Sequence, residues 1–500
     1  MMVPQSQMGV ALSELFDGIL TVPARDDRNI SDIALDSRDV GPGTCFFALK
    51  GARANGIAFA AEAVARGATA IVVEENEPAL HFAIPVFELA DVRGHLGEIA
   101  RRFFDDPSAA VHVLAITGTN GKSTVAHIAA QAVGELGETC GYIGTLGAGR
   151  LDQLTSIGMT TPDIITLNRW LARLRAENVG FVALEASSHA LDQDRLSGLT
   201  LGAAAFTNLG HDHLDYHGDI EAYAEVKRHL FTHKGLATAI VNVDDPVGVT
   251  IASSIGPHIE LWTCSTNRSA AESRARVTGT EVESMRDGVR FTLRHAKRAA
   301  RIESTLLGRF NVDNLLIAAA YLLSLGHALE RICTALSRVR RVPGRMELCG
   351  TTLAGARVYV DYAHSPDSLL AALTALREAG AQRLVLVFGC GGERDHSKRP
   401  VMGEIAECYA DQVIVTADNP RGEHNADIAR DIVSGMHSPA AVRIIHDRAE
   451  AIRTAIGAAS ADDIVLVAGK GHEVIQEHDG VRTPFSDRSE VEQALRENDS

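Results

Sequence analysis

Residues 111–133, VHVLAITGTNGKSTVAHIAAQAV, constrain the fold more than any other stretch of this chain. The apolar run VHVLAI reads as a buried strand, Gly118-Thr119-Asn120-Gly121-Lys122-Ser123-Thr124 as a turn, and the stretch after it as a helix. A strand without polar alternation is covered on both faces, and its direct passage into a helix is the unit of a parallel α/β sheet. The turn also carries chemistry. Its backbone N–H groups, with a helix N-terminus behind them, form a cradle for a polyphosphate. Lys122 is then placed for the β/γ-phosphates and the Ser123 hydroxyl for Mg2+. The common spacing G-x-x-x-x-G-K-[ST] would require glycine at 116, where this chain has Ile116.

The same strand–helix rhythm runs along the whole chain, and 500 residues exceed one hydrophobic core. At roughly 150 residues per domain, about three domains are expected. The first holds GTCFFAL, a helix over residues 57–66, and GATAIVV; Asp105, Asp106 and Pro107 then break a helix before the new strand. The middle region continues with FVALEA (181–186), AAAFTNL (203–209) and ATAIVNV (237–243). Residues 275–305 alternate in polarity and predict a local antiparallel excursion, and a helix follows at 312–325. After the basic link RRVPGRME (340–347) come RVYVDYA, a helix over 366–378, RLVLVFG, QVIVTA, VRIIH and DIVLVAG. These five runs predict a doubly wound sheet, with ligands at the carboxyl ends of its strands. The expected fold class is α/β in three domains, 1–109, 110–342 and 343–500.

With 46% hydrophobic and 22% charged residues the chain is a soluble globular one, not disordered or fibrous. A formal net charge of −16 argues against sequence-independent nucleic-acid binding. The seven cysteines are scattered and never spaced C-x-x-C, so neither a disulfide framework nor structural zinc is expected. No apolar run reaches membrane-spanning length and no basic leader opens the sequence, which predicts a cytoplasmic chain without membrane insertion.

Further constellations sit at strand ends. Glu185 ends FVALEA, where a carboxylate suits Mg2+, or serves as a helix N-terminal acid or a surface charge. His211, His213 and His217 lack usual zinc spacing; His213 reads as metal- or nucleotide-facing, or as a plain hydrogen-bonding residue. Lys227, in YAEVKRHLF, would ordinarily be a solvated helix charge. In the last region Asp361-Tyr362-Ala363-His364, FGCGGERD, TADNPRGE and AGKGHE each follow an apolar strand. FGCGG reads alone as a tight turn and AGKGHE as a helix entry, but four such segments on one sheet edge argue for a site.

Together these residues resemble the Mur ligases, ATP-dependent amide-bond-forming enzymes of peptidoglycan precursor synthesis. The match runs in order through GTNGKST, TTPD, EASSHALDQDR, TNLGHDHLDYHG, KRHLF, GRFNVDN, VPGRME, DYAHSPDS, GCGGERD, DNPRGE and GKGHE. The phosphate loop that is one residue short is that family's usual form. Within the family the motifs are most similar to those of the branch that adds meso-2,6-diaminopimelate to UDP-N-acetylmuramoyl-L-alanyl-D-glutamate. The resemblance implies a small UDP-sugar-binding N-terminal domain, a central parallel-sheet ATPase domain of P-loop type, and a Rossmann-like amino-acid-binding C-terminal domain.

It also implies site residues. Gly118, Thr119, Asn120, Gly121, Lys122, Ser123 and Thr124 bind ATP, and Asn314, Arg345 and Asp361 line the nucleotide. Two Mg2+ ions take Ser123, Glu185, His213 and Lys227, the last as a CO2-derived carbamate; Lys122, Lys227, His213 and Glu185 form the catalytic set. Leu35, Ser37, Thr160, Thr161, Ser187, Gln193 and Arg195 contact the UDP-sugar dipeptide. The loop at 51–55 lacks the His-Gln pair usual around the uracil, so contacts at 52–54 depart from the pattern. Arg394, Asp418, Asn419, Pro420, Arg421, Gly469 and Glu473 meet diaminopimelate. The implied chemistry is an acyl phosphate formed on the glutamate side chain, in a cytoplasmic monomer. An L-lysine-adding relative or a folylpolyglutamate synthetase-like ligase is the near alternative, against which EASSHALDQDR and DNPR argue. A non-ligase P-loop NTPase is the remote one, against which Glu185, His213 and Lys227 together speak.

Overall fold

The run preceding the glycine turn forms the strand His112–Thr117, buried at every residue but the first, and the helix Lys122–Glu135 follows the turn directly. Ile116, where the common spacing would require glycine, is a fully buried strand residue. The computed structural model describes residues 9–51, 54–75, 81–267 and 275–498. Its chain divides into two compact units, Met1–Ala115 with Thr139–Gly202 and His233–Leu236, and Ile116–Glu138 with Ala203–Thr232 and Ala237–Ser500.

In the first unit the strands Asp32–Ala34, Thr44–Ala48, Ala68–Glu74 and Val86–Leu89 form a parallel sheet in that order. Phe46, Ile71 and Val73 pack with Ala60 and Ala63 in one apolar cluster. The helix expected over 57–66 is split into a 3-10 turn, Gly56–Phe59, opened by the Asn55 side chain on the Ile57 N–H, and a short helix, Ala60–Ala65. The helix Val92–Phe103 ends before Asp105 and Asp106, which take φ of 56° and 41°, and Pro107 starts the next helix. Further on, Cys140–Gly144 pairs parallel with Phe181–Glu185 and antiparallel with Gly147–Arg150. Between them lies the helix Ile164–Ala176, capped by Asp163, whose side chain accepts the Ile165 and Thr166 N–H groups.

In the second unit Ala203–Phe206, Thr238–Asn242 and Glu260–Ser265 run parallel, followed by Val277–Met285. Gly288–His295 and Arg298–Ser304 then continue antiparallel, as the alternating pattern of 275–305 predicts. The central strands are therefore a mixed set, parallel with the expected antiparallel excursion at one end. The helix Phe310–Ser324 is buried along nearly its whole length.

The last sheet has six strands, in the order Glu347–Thr351, Arg357–Asp361, Asp463–Ala468, Arg383–Phe388, Gln412–Val415 and Arg443–Ile444. Only the first is antiparallel to its neighbour. Leu384, Leu386 and Phe388 enter one apolar cluster while Val385 and Val387 enter another, so period-two alternation serves a core on each face. All four ligand-loop candidates leave carboxyl ends of this sheet. A hairpin the sequence reading missed, Ile475–His478 with Val481–Pro484, follows the last of them. Asp479 and Gly480 turn it at φ of 49° and 75°, the paired positive values that favour Asp-Gly in two-residue hairpin loops. No described helix is long and apolar enough to cross a membrane.

Candidate active site

Glycine is required at both ends of the phosphate loop. Gly118 takes φ 144°, and a Cβ there would lie 1.8 Å from Thr207 Oγ1; Gly121 takes φ 87°, and its Cβ would lie 2.5 Å from Asn314 Oδ1. The segment Thr207-Asn208-Leu209-Gly210, singled out for the histidines after it, scaffolds the loop. Thr119 N–H donates to the Asn208 carbonyl (2.8 Å), Asn120 N–H to Asn208 Oδ1 (3.0 Å), and Thr207 Oγ1 to the Asn120 carbonyl (2.6 Å). Lys122 Nζ donates to the carbonyls of Gly118 (2.8 Å) and Thr119 (2.9 Å). Ser123 and Thr124 are buried in the first helical turn.

Lys227 is not a solvated charge. It is 1% exposed, and its Nζ donates to the same Gly118 carbonyl (2.9 Å), 4.2 Å from the Tyr223 ring centroid. Burial, with the Lys122 charge beside it, holds its amine well below the usual lysine range. His213 stands at φ 55° with Nε2 3.5 Å from Asp212 Oδ2, and His364 Nε2 lies 3.8 Å from the same oxygen. Burial pushes the Asp212 carboxyl up, but His364, His213, Lys398 and Lys122 together hold it down, at about 2. Among the described residues no three His, Cys, Asp or Glu side chains converge as a metal site, so His211, His213 and His217 do not form one.

Asn314, Arg345 and Asp361 come to the same unit from distant stretches. Asn314 is buried, its Nδ2 bonded to Asn311 Oδ1 (2.8 Å). Arg345 donates to Ser123 Oγ (3.2 Å) and stacks over Tyr362. Asp361 accepts the N–H groups of Met346 (2.6 Å) and Ala363 (2.7 Å), and burial raises its carboxyl above the usual range.

The first unit gathers a second cluster. Glu185 is fully buried: Tyr142 Oη donates to Oε1, Thr145 N–H to Oε1 (3.0 Å) and Thr145 Oγ1 to Oε2 (3.0 Å). Gly144 leaves room for it, since a Cβ there would lie 2.3 Å from Oε1. Thr160 Oγ1 bonds Thr145 Oγ1 (3.1 Å), and Thr161 Oγ1 donates to the Glu185 carbonyl (2.6 Å) and meets Ser187 Oγ (3.1 Å). Arg195 donates to the Thr161 carbonyl (2.6 Å) and to Gln193 Oε1 (2.8 Å). Leu35 and Ser37 belong to the N-terminal segment, where Ser37 Oγ donates to Glu62 Oε2 (2.9 Å). Of the uracil-loop positions, Ala52 and Arg53 lie outside the described residues.

The loops of the second unit expected to take the amino acid interlock. Asp418, Asn419 and Pro420 are buried. Asn419 Nδ2 donates to Glu473 Oε2 (2.8 Å), and the Cβ that Gly469 lacks would lie 2.6 Å from Asp418 Oδ2. Arg421 sits at φ 52°, a conformation costing an L-residue about 1–2 kcal/mol. Two backbone bonds to the hairpin, Arg421 N–H to the Glu477 carbonyl (3.0 Å) and Asp479 N–H to the Arg421 carbonyl (2.6 Å), hold it there. Its Nη1 donates to the Gly392 carbonyl (2.6 Å), while Arg394 is exposed.

Three regions match the family's domains: residues 29–104 the Mur ligase family, catalytic domain; 116–322 the Mur ligase middle domain; and 344–471 the Mur ligase, glutamate ligase domain. The chain is 44% identical over 488 residues to the UDP-N-acetylmuramoyl-L-alanyl-D-glutamate–2,6-diaminopimelate ligase of Xanthomonas campestris, covering 97% of each. The chain belongs to the Mur ligase family. To the enzyme of the same name from Pseudomonas aeruginosa it is 42% identical over 495 residues, covering 98% of each. A solved structure of a ligase of that name superposes with a TM-score of 0.69 at 34% identity, covering 99% of this chain and 100% of that one. The fold is the family's three-domain α/β arrangement.

Several residues that build this Mur ligase site escaped the sequence reading. Asp212 stood in plain view between two histidines. The hairpin that pins Arg421 was announced only by Asp479-Gly480. AGKGHE proves to enter a turn rather than a helix, and Lys470 within it is fully buried. Arg448 and Asp487, a fully buried ion pair, carried no local signal; Arg448 donates to the carbonyls of Ala417 (3.1 Å) and Ala468 (2.9 Å), one residue before Asp418 and Gly469.

Proposed function

We propose that this Mur ligase adds meso-2,6-diaminopimelate to the D-glutamate side-chain carboxylate of UDP-N-acetylmuramoyl-L-alanyl-D-glutamate, at the expense of ATP, in peptidoglycan precursor synthesis. Full-length identity of 42–44% to ligases of that name supports the substrates. The observation that carries the reaction class is Lys227, buried on the Gly118 carbonyl beside Lys122. A plain phosphate-hydrolysing loop has no use for a second buried amine. An amine kept neutral is a nucleophile toward CO2, and the Lys122 ammonium would offset the charge of the carbamate so formed.

A carboxylate is a poor electrophile with a poor leaving group. The glutamate carboxylate attacks the γ-phosphorus of ATP, expelling ADP and leaving an acyl phosphate. The diaminopimelate amine then adds to the acyl carbon, and inorganic phosphate departs as the amide forms and a proton is released. Lys122 and the N–H groups of Gly118 to Thr124 oppose charge on the transferring phosphoryl group, usually the largest catalytic term in such chemistry. Asn314, Arg345 and Asp361 hold the nucleotide. Thr160, Thr161, Ser187, Gln193 and Arg195, with Leu35 and Ser37, hold the UDP-sugar dipeptide. Arg394, Asp418, Asn419, Pro420, Arg421, Gly469 and Glu473 hold diaminopimelate. The donor set suits a hard cation: the Ser123 hydroxyl, Glu185, His213 and the Lys227 carbamate would hold Mg2+ at two sites, supplying charge neutralisation to phosphate and carboxylate oxygens. The working division is 1–109, 110–342 and 343–500, in a cytoplasmic monomer.

The test supplies ATP, Mg2+ and the UDP-muramoyl dipeptide with meso-diaminopimelate, with L-lysine, or with no amino acid. Phosphate release is expected only with diaminopimelate. Equal release with L-lysine, or without any amino acid, overturns the reading.

A further inference from the structure

Behind the amino-acid loops lies a lysine to which the functional reading assigns no task. Lys470 is fully buried, at the carboxyl end of the strand Asp463–Ala468. Glycines flank it at φ 117° (Gly469) and 53° (Gly471). These conformations let the loop fold back and send the side chain inward, and a Cβ on Gly471 would lie 2.8 Å from the Gly344 carbonyl. Lys470 Nζ donates to Asn419 Oδ1 (3.0 Å) and to Glu473 Oε2 (2.9 Å). Asn419 Oδ1 also accepts the Glu477 N–H (3.0 Å). Two donors on one oxygen fix the sense of the amide, because its NH2 end would face both. The Asn419 NH2 must therefore point to Glu473 Oε2, where it lies at 2.8 Å. Glu473 Oε2 is thus occupied twice, and Oε1 makes no hydrogen bond among the described residues, on a side chain 29% exposed.

Resting on the functional reading above, we propose that Lys470 is a positioning residue of the amino-acid site. It holds the Asn419 amide and one Glu473 oxygen so that the other Glu473 oxygen is presented to an ammonium group of the incoming diaminopimelate. A lysine left charged in a core needs partners, and here both partners belong to the proposed substrate-binding set. Removing it frees two side chains to rotate, at a cost in ground-state binding that falls on one substrate only.

The experiment measures KM for each substrate, and kcat, in Lys470→Met and Lys470→Gln, with Glu473→Gln and the double variant Lys470→Met/Glu473→Gln beside them. Lys470→Met is expected to raise KM for diaminopimelate about 10–100-fold, the loss of charge-assisted bonds, with KM for ATP and for the UDP-dipeptide within about twofold. The double variant is expected to fall well short of the product of the two single effects, since Lys470 acts chiefly through Glu473. Lys470→Gln, closer to the polar original, decides the question if the methionine variant fails to fold. An unchanged KM for diaminopimelate, an equal rise for all three substrates, or additive effects in the double variant would overturn the proposal. The parent enzyme is assayed first: if its phosphate release does not depend on diaminopimelate, the functional reading fails, and this inference with it.

Discussion

The phosphate loop and the amino-acid loops of the second unit are built on opposite principles. In the first, proposed to take the phosphates, main chain forms the cradle, Gly118 and Gly121 permit its path, and Thr207 and Asn208 brace it. In the second, proposed to take the amino acid, side chains form the cradle and are held by other segments: Asn419 by Lys470 and Glu473, Arg421 by the hairpin, and both loops by Arg448. A backbone cradle reads any polyphosphate: its path is set by glycines within the loop, although residues 207–208 brace it from far along the sequence. A side-chain cradle can discriminate between amino acids, because a buried polar group left unpaired by the wrong substrate is costly.

If this contrast holds, damage to the phosphate loop lowers turnover for every substrate, whereas damage to the amino-acid loops is confined to one KM. The largest effect is expected from Lys122→Ala, a fall in kcat of roughly 10²–10³-fold with little change in thermal unfolding, checked by steady-state phosphate release beside calorimetry. Near-parental turnover in a folded variant would remove Lys122 from the reaction. Lys227→Ala follows, with a loss of about 100-fold that added acetate partly restores by supplying the missing carboxylate oxygens. Enriched bicarbonate should give the parent a carbamate carbon signal in NMR that this variant lacks; the same signal in both would place the carbamate elsewhere.

Arg421→Ala is expected to act on selection. KM for diaminopimelate should rise about 10–100-fold, with that for ATP nearly constant, because a guanidinium takes a carboxylate bidentately and diaminopimelate carries one more than lysine. A variant that still prefers diaminopimelate to L-lysine as strongly as its parent would show that Arg421 is not the selector. The smallest effect is expected from Asp447→Ala. Asp447 caps the helix Arg448–Gly457 through the Glu450 N–H (2.9 Å), and its loss should cost about 1 kcal/mol of stability while leaving every KM unchanged. A diaminopimelate-specific defect in this variant would mean that mere loosening of the C-terminal sheet mimics Arg421→Ala.

Arg421 also illustrates how far local reading reached. Its place after Pro420 is legible locally, but the hairpin 475–484, which bonds the Arg421 backbone at Glu477 and Asp479, is not. Lys227 taught the same lesson from the other direction. Its helix context alone suggested a solvated charge, and only the fold brings the Gly118 carbonyl of the phosphate loop onto its buried Nζ.

Sequence by itself determined the strand–turn–helix at 111–133, the antiparallel stretch of 275–305 and every strand of the last sheet but Glu347–Thr351. Hydrophobic period, glycine and proline act within a few residues, so their meaning survives without the rest of the fold. Burial and pairing do not. That Lys227, Lys470 and Arg448 are enclosed, that Asp212 meets the distant His364, and that a late hairpin seats Arg421 were decided only when distant segments met, because desolvation and hydrogen-bond partners are properties of a place in space.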